Sequence, residues 1–311
     1  MATLVVVFYV DGFLVGAPIP EALAFALLGV VVLVGFLHHA DHGDVNQIGA
    51  STPVLSALAA LTVLALSRGL SWPLVFSAAA VGSAGGLAEL ASRHRWSGLD
   101  AAVYCGAFAG MTSERVLAHP VLVLLAGAVA GLVLELLQSS WAGIGGKLGS
   151  TAFLGVFGVI GVASVLGVQG SGAQLHAFSG WERAALMLVA LVSTQLTHWL
   201  SYGCHIGVVL GSALPSLLAG LLLPPPLAAA WMGAGFVGMT APARLAPNPT
   251  LLLLAMGVLF GLFSLGFEPS LAGIGGDLGA TAAMSVFAVL GLRRLLPGCS
   301  SQEVQHVFRR K

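Results

Sequence analysis

The chain has 311 residues, 58% hydrophobic and 8% charged, with 12 basic and 12 acidic side chains and no formal net charge. Soluble domains are about 25% charged, so these few charges cannot cover a water-exposed surface, and their balance leaves no basic field for nucleic acid. The composition therefore predicts an all-α, polytopic helical protein, integral to the membrane and multi-pass, with the lipid bilayer as its main partner. The 42 glycines suit membrane helices that pack closely through small residues. Cys105, Cys204 and Cys299 lie far apart with no CxxC, which predicts inert thiols and neither a disulfide framework nor a zinc knuckle.

In chain order, residues 1–20 form an apolar opening segment interrupted by Asp11. No basic residue precedes it, so it lacks the pattern of a cleaved signal. A crossing helix needs about 20 apolar residues. Candidate spans are 21–37, 52–67, 73–91, 120–137, 151–168, 184–202, 205–223, 250–266 and 280–296. Segments 99–112 and 227–240 are apolar but short, and read either as full spans or as helices that enter and return. About nine to twelve membrane segments result, some of them re-entrant. Residues 21–168 read as a first repeat half, 169–183 as a connector, 184–296 as a second half and 297–311 as a tail. The tail ends Arg309-Arg310-Lys311, and the positive-inside rule predicts a cytosolic C-terminus.

The division into halves rests on an internal repeat. Residues 142–161 read AGIGGKLGSTAFLGVFGVIG and residues 272–291 read AGIGGDLGATAAMSVFAVLG, identical at 13 of 20 positions. A second pair sets Cys105–Thr112 against Gly233–Thr240. A third, weaker pair sets Gly49–Leu61 against Gly211–Leu223. Its larger offset implies an extra span near 66–99 in the first half and leaves open whether the halves are parallel or inverted. Short or glycine-broken segments at matching places in two halves point to a solute pathway.

The glycine cassettes supply most of the candidate site. Gly145, Gly146, Gly275 and Gly276 free the backbone to turn and to approach a ligand. Thr151 and Thr281 occupy matching places one turn into the following apolar runs. Lys147 and Asp277 occupy the same place in the two cassettes, and a lone charge at the bilayer centre costs about 2.5–3.5 kcal/mol on insertion scales. The two are therefore expected to pair or to face water. Glu135 lies inside the apolar run 120–137 and is the candidate intramembrane acid.

The segment His38-His39-Ala40-Asp41-His42-Gly43-Asp44 puts His38 and His42 on one helical face beside Asp41, a set suited to a divalent metal. It resembles the His-Asp-rich signature of nickel and cobalt permeases, with a different spacing. Asn46, Gln47, Ser51 and Thr52 precede Pro53 and a Leu/Ala-rich run. In a duplicated chain this resembles the layout of urea transporters, whose Leu-Pro-rich pore motif is absent. His198 and His205 flank a break between apolar runs, but their spacing does not call for haem.

These features predict a transporter or channel for a small polar solute or ion, with no cofactor. Oligomer formation is left open. Without GxxxxGK(S/T), movement would be passive or gradient-driven. The alternatives are a membrane-embedded subunit of a larger complex, and a divalent-metal permease or metal-dependent membrane enzyme using His38–Asp44. With no HExxH or GxSxG, an enzyme is not expected.

Overall fold

The computed structural model describes residues 51–92, 96–165, 178–271 and 273–295, with backbone only for 267–270. The candidate metal ligands His38, Asp41 and His42, the opening segment 1–20 and the tail 297–311 lie outside the described residues. Residues 51–285 belong to one compact unit and 286–295 to another. Every contact given below lies within the former.

The described chain is all-helical. It consists of α1 (Ser51–Leu64), α2 (Leu74–Ala91), α3 (Leu99–Gly110), α4 (Pro120–Leu136), α5 (Lys147–Val165), α6 (Gly180–His198), α7 (Val208–Leu222), α8 (Pro225–Gly238), the single turn α9 (Pro242–Leu245), α10 (Pro249–Leu271) and α11 (Asp277–Leu295). Six stretches are long and apolar enough to cross a membrane, namely Ser51–Gly69, α2, α5, Gly180–Gly203, Pro249–Gly266 and α11. The protein is a multi-pass integral membrane protein.

Local chemistry sets the helix ends. Prolines occupy the first turns of α4, α8 and α10, where a missing N–H costs nothing. His119 Nδ1 accepts from Val121 N at 3.3 Å at the start of α4. The Glu182 carboxylate reaches back to Ser179 N at 2.7 Å at the start of α6. A π-helical turn follows α1 (Ala65–Gly69) and another follows α6 (Trp199–Gly203).

The interior is made of small side chains and the outside of large ones. Ala57, Ala60, Ala78, Ala107, Ala126 and Ala130 are buried, whereas Leu58, Leu87, Leu125, Leu218 and Leu251 are exposed. Lipid covers Leu as favourably as protein does, so close backbone contact drives the packing here. A Cβ on Gly106 of α3 would collide with the Ser56 carbonyl of α1. The helices pack in two groups. In one, α1 packs on α3 and α4, α2 packs on α3, and α4 packs on α5. In the other, α6 packs on α8 and α10, and α7 packs on α8. α2 and α7 pack on each other and join the groups.

Candidate functional site

The two glycine loops meet in the interior. Each needs left-handed backbone at its bends, with φ of 72° at Gly143 and 85° at Gly146, and of 78° at Gly273 and 88° at Gly276. Only glycine adopts such values without strain. Each loop docks on the end of the short helix in the other group. Ala241 N donates to Gly143 O at 2.9 Å, and Ser113 N donates to Gly273 O at 2.9 Å. Gly145 N donates to Thr240 Oγ1 at 3.3 Å, and Gly275 N donates to Thr112 Oγ1 at 3.2 Å. Each threonine passes its own proton on, Thr240 to Val237 O and Thr112 to Ala109 O, both at 2.7 Å.

The helices that follow cross one residue pair further in. Gly149 of α5 lies against Gly279 of α11, so close that neither position has room for a side chain. Ser150 Oγ donates to Gly146 O at 3.0 Å and reaches Gly279 O at 3.3 Å across the crossing. A Cβ on Gly146 would strike the Gly279 carbonyl, and one on Gly276 would strike the Gly149 carbonyl. The cassette glycines Gly145, Gly146, Gly275 and Gly276 therefore face protein backbone rather than open space. Phe108 and Phe236 meet beside the crossing edge to face, with ring centroids 4.7 Å apart. Thr151 is buried, donating to Leu148 O at 2.7 Å and touching Cys105 Sγ at 3.3 Å.

Of the two alternatives for Lys147 and Asp277, pairing or facing water, the pair does not form. The helices cross at Gly149 and Gly279, so the residues before the crossing diverge to separate cavities. Lys147 Nζ donates to Gln138 O at 2.7 Å. Asp277 Oδ1 accepts from Leu278 N at 2.6 Å. Lys147 lines a cavity of about 620 Å³, within the roughly 300–1,000 Å³ typical of small-molecule pockets. It is walled by the starts of α1, α3 and α5 and the end of α4, and Thr52, Trp96, Glu135 and Gln138 contribute polar groups. Glu135 accepts from Thr52 Oγ1. Asp277 lines a second cavity of about 210 Å³ together with Thr281, Ser264, Ala230 and Leu186, from α11, α10, α8 and α6.

Sequence reasoning missed the bridging pair Thr112 and Thr240, although both close the Met-Thr ends of the second repeat pair. It also missed Trp96 and Gln138 as cavity walls, for which no sequence signal exists. His198 Nδ1 lies 3.2 Å from Gly238 O, and among the described residues no group of three His, Cys, Asp or Glu is arranged to hold a metal. No protein-family model, curated protein or solved structure matches the chain.

The threonine bridges give a direct test. Thr112→Val or Thr240→Val removes the acceptor of a buried loop N–H, which typically costs about 1–3 kcal/mol. Each is expected to lower the melting temperature of the detergent-solubilised protein, while Thr62→Val, whose hydroxyl bonds only Leu58 O on an exposed face, leaves it unchanged. Equal melting curves for all three variants would remove the bridges from the packing account.

Proposed function

We propose that the protein is a transporter or channel for a small polar solute or ion, built from two like halves related by a pseudo-two-fold axis through the Gly149–Gly279 crossing. The observation that carries this reading is the reciprocity of the two loops. Each glycine loop makes the same bonds to the other half's threonine, and each leads into a helix start that lines its own cavity. Helix starts recur about 130 residues apart, which pairs α1 with α6, α2 with α7, α3 with α8, α4 with α10 and α5 with α11. On this pairing the span near 66–99 is α2 and has a counterpart in α7. Gly49–Leu61 then corresponds to the start of α6, and its weak match to Gly211–Leu223 is a resemblance of composition.

If α3 with residues 111–119, and α8 with residues 239–248, each complete one crossing, each half crosses five times and the second half runs inverted. The cavity at Lys147 then opens to one side of the membrane and the cavity at Asp277 to the other. α3 and α8 have 12 and 14 residues. At about 1.5 Å per residue each covers only part of the roughly 30 Å hydrocarbon core. Each ends against the other half's loop, which we put near mid-depth. Irregular backbone is tolerated there because protein buries it. The two cavities then approach each other from opposite faces, separated by the packed crossing, and a solute passes when that packing shifts.

Reconstitution into liposomes tests this reading, with a panel of small polar solutes and ions and flux followed by swelling or tracer. Wild-type protein is expected to move at least one of them. Lys147→Ala should reduce that flux about tenfold or more, and Arg68→Ala should leave it within about twofold, since Arg68 is engaged with Glu114 at 2.7 Å away from both cavities. The loss corresponds to about 1.4 kcal/mol per factor of ten. Folded protein that moves nothing in the panel, or equal flux from both variants, would overturn it.

A further inference from the structure

We propose that the larger cavity binds a small zwitterion, its carboxylate held by Lys147 and its ammonium by Glu135. This names the solute class of the cavity read above as part of a transport path, and it rests on that reading.

The charges on the cavity wall balance. Among the described residues, Lys147 and Glu135 are the only charged side chains that line this cavity. They come from neighbouring helix ends, Lys147 at the start of α5 and Glu135 in the last turn of α4. They do not pair with each other. Lys147 uses one of its protons on the Gln138 carbonyl, and Glu135 uses one oxygen on Thr52. An ammonium has three donors and a carboxylate has several acceptor sites, so both groups keep unused capacity.

Two opposite charges on the wall of one cavity, each with bonding capacity to spare, suit a ligand that carries a complementary charge at either end. A monovalent anion would satisfy Lys147 and leave Glu135 unmatched, and a monovalent cation would do the reverse. An uncharged solute would satisfy neither. A molecule bearing both a carboxylate and an ammonium satisfies both at once without adding net charge. Trp96 lines the same cavity, where an aromatic ring is a partner an ammonium can use. The smaller cavity also supplies a carboxylate, Asp277, with Ser264 and Thr281. The ammonium is thus the group that both cavities are equipped to meet.

Equilibrium binding to purified full-length protein in detergent tests the assignment. The probes are glycine, β-alanine and 4-aminobutyrate, compared with propionate and propylamine, which each carry one charge. At least one zwitterion is expected to bind ten times more tightly than either singly charged probe. Lys147→Gln should cut zwitterion affinity at least tenfold and leave propylamine unchanged. Glu135→Gln should cut it similarly and leave propionate unchanged. Zwitterions that bind wild-type protein no better than propionate or propylamine would overturn the assignment, whether or not the variants fold. Liposome flux separates the two readings. Transport of another solute without zwitterion preference would sink this assignment alone, whereas no flux of any solute would sink the transport reading.

Discussion

Gly276→Ala is expected to unfold a large share of the protein, and Gly146→Ala to do the same. At both positions the backbone is left-handed, with φ of 88° and 85°. That conformation costs an ordinary residue roughly 1–2 kcal/mol. A Cβ would also collide with backbone in the first turns of the opposite helix, α11 or α5, rather than with a flexible side chain, and overpacking typically costs about 1–3 kcal/mol more. Backbone cannot give way without moving the helix start it belongs to. The sum is a sizeable part of the roughly 5–15 kcal/mol that holds a protein folded. Gly158→Ala and Gly161→Ala make the control, because a methyl group at either meets nothing within 4 Å. Size-exclusion profiles after graded heating would compare the four variants. Similar melting temperatures would mean that the loops do not pack as described.

Asp277→Asn is expected to reduce solute flux about tenfold or more while leaving the melting temperature close to that of the wild type. Asparagine keeps the shape and the acceptor for Leu278 N, so the helix start is preserved. What it removes is the negative charge lining the smaller cavity. A charge-assisted hydrogen bond contributes about 1.5–3 kcal/mol, and each 1.4 kcal/mol is about a factor of ten. The change at Lys147 affects the other cavity, so the two losses are expected to combine in the double variant. Tracer flux into liposomes measures both. An Asp277→Asn protein with wild-type flux would remove this cavity from the pathway.

Membrane residence was legible in the composition, because few charges and many apolar residues leave lipid as the only compatible surroundings. Among the described residues the predicted apolar runs coincide with helices to within a few residues, six of them long enough to cross a membrane, since prolines mark several starts. The short segments 99–112 and 227–240 were recognised as unusual, and they are the helices that end at the glycine loops. Of the two outcomes expected for Lys147 and Asp277, pairing or facing water, pairing is absent for a geometric reason. Equal positions in two repeats suggested that the side chains approach each other, but the crossing lies two residues later at Gly149 and Gly279, and the chains diverge before it. A repeat states that two segments are alike and carries no information on which face each presents to the other.

The amino-acid order alone determined that this is a helical chain embedded in lipid and that two glycine cassettes recur in it, because hydropathy, helix length and residue identity are local properties. Only the tertiary structure decided that the cassettes are buried against each other, that their glycines make room for backbone rather than for a ligand, and that Lys147 shares a cavity with Glu135 while Asp277 lines a separate one. Those partnerships depend on where helices far apart in sequence cross, and the crossing point is set by the summed close packing of many small residues.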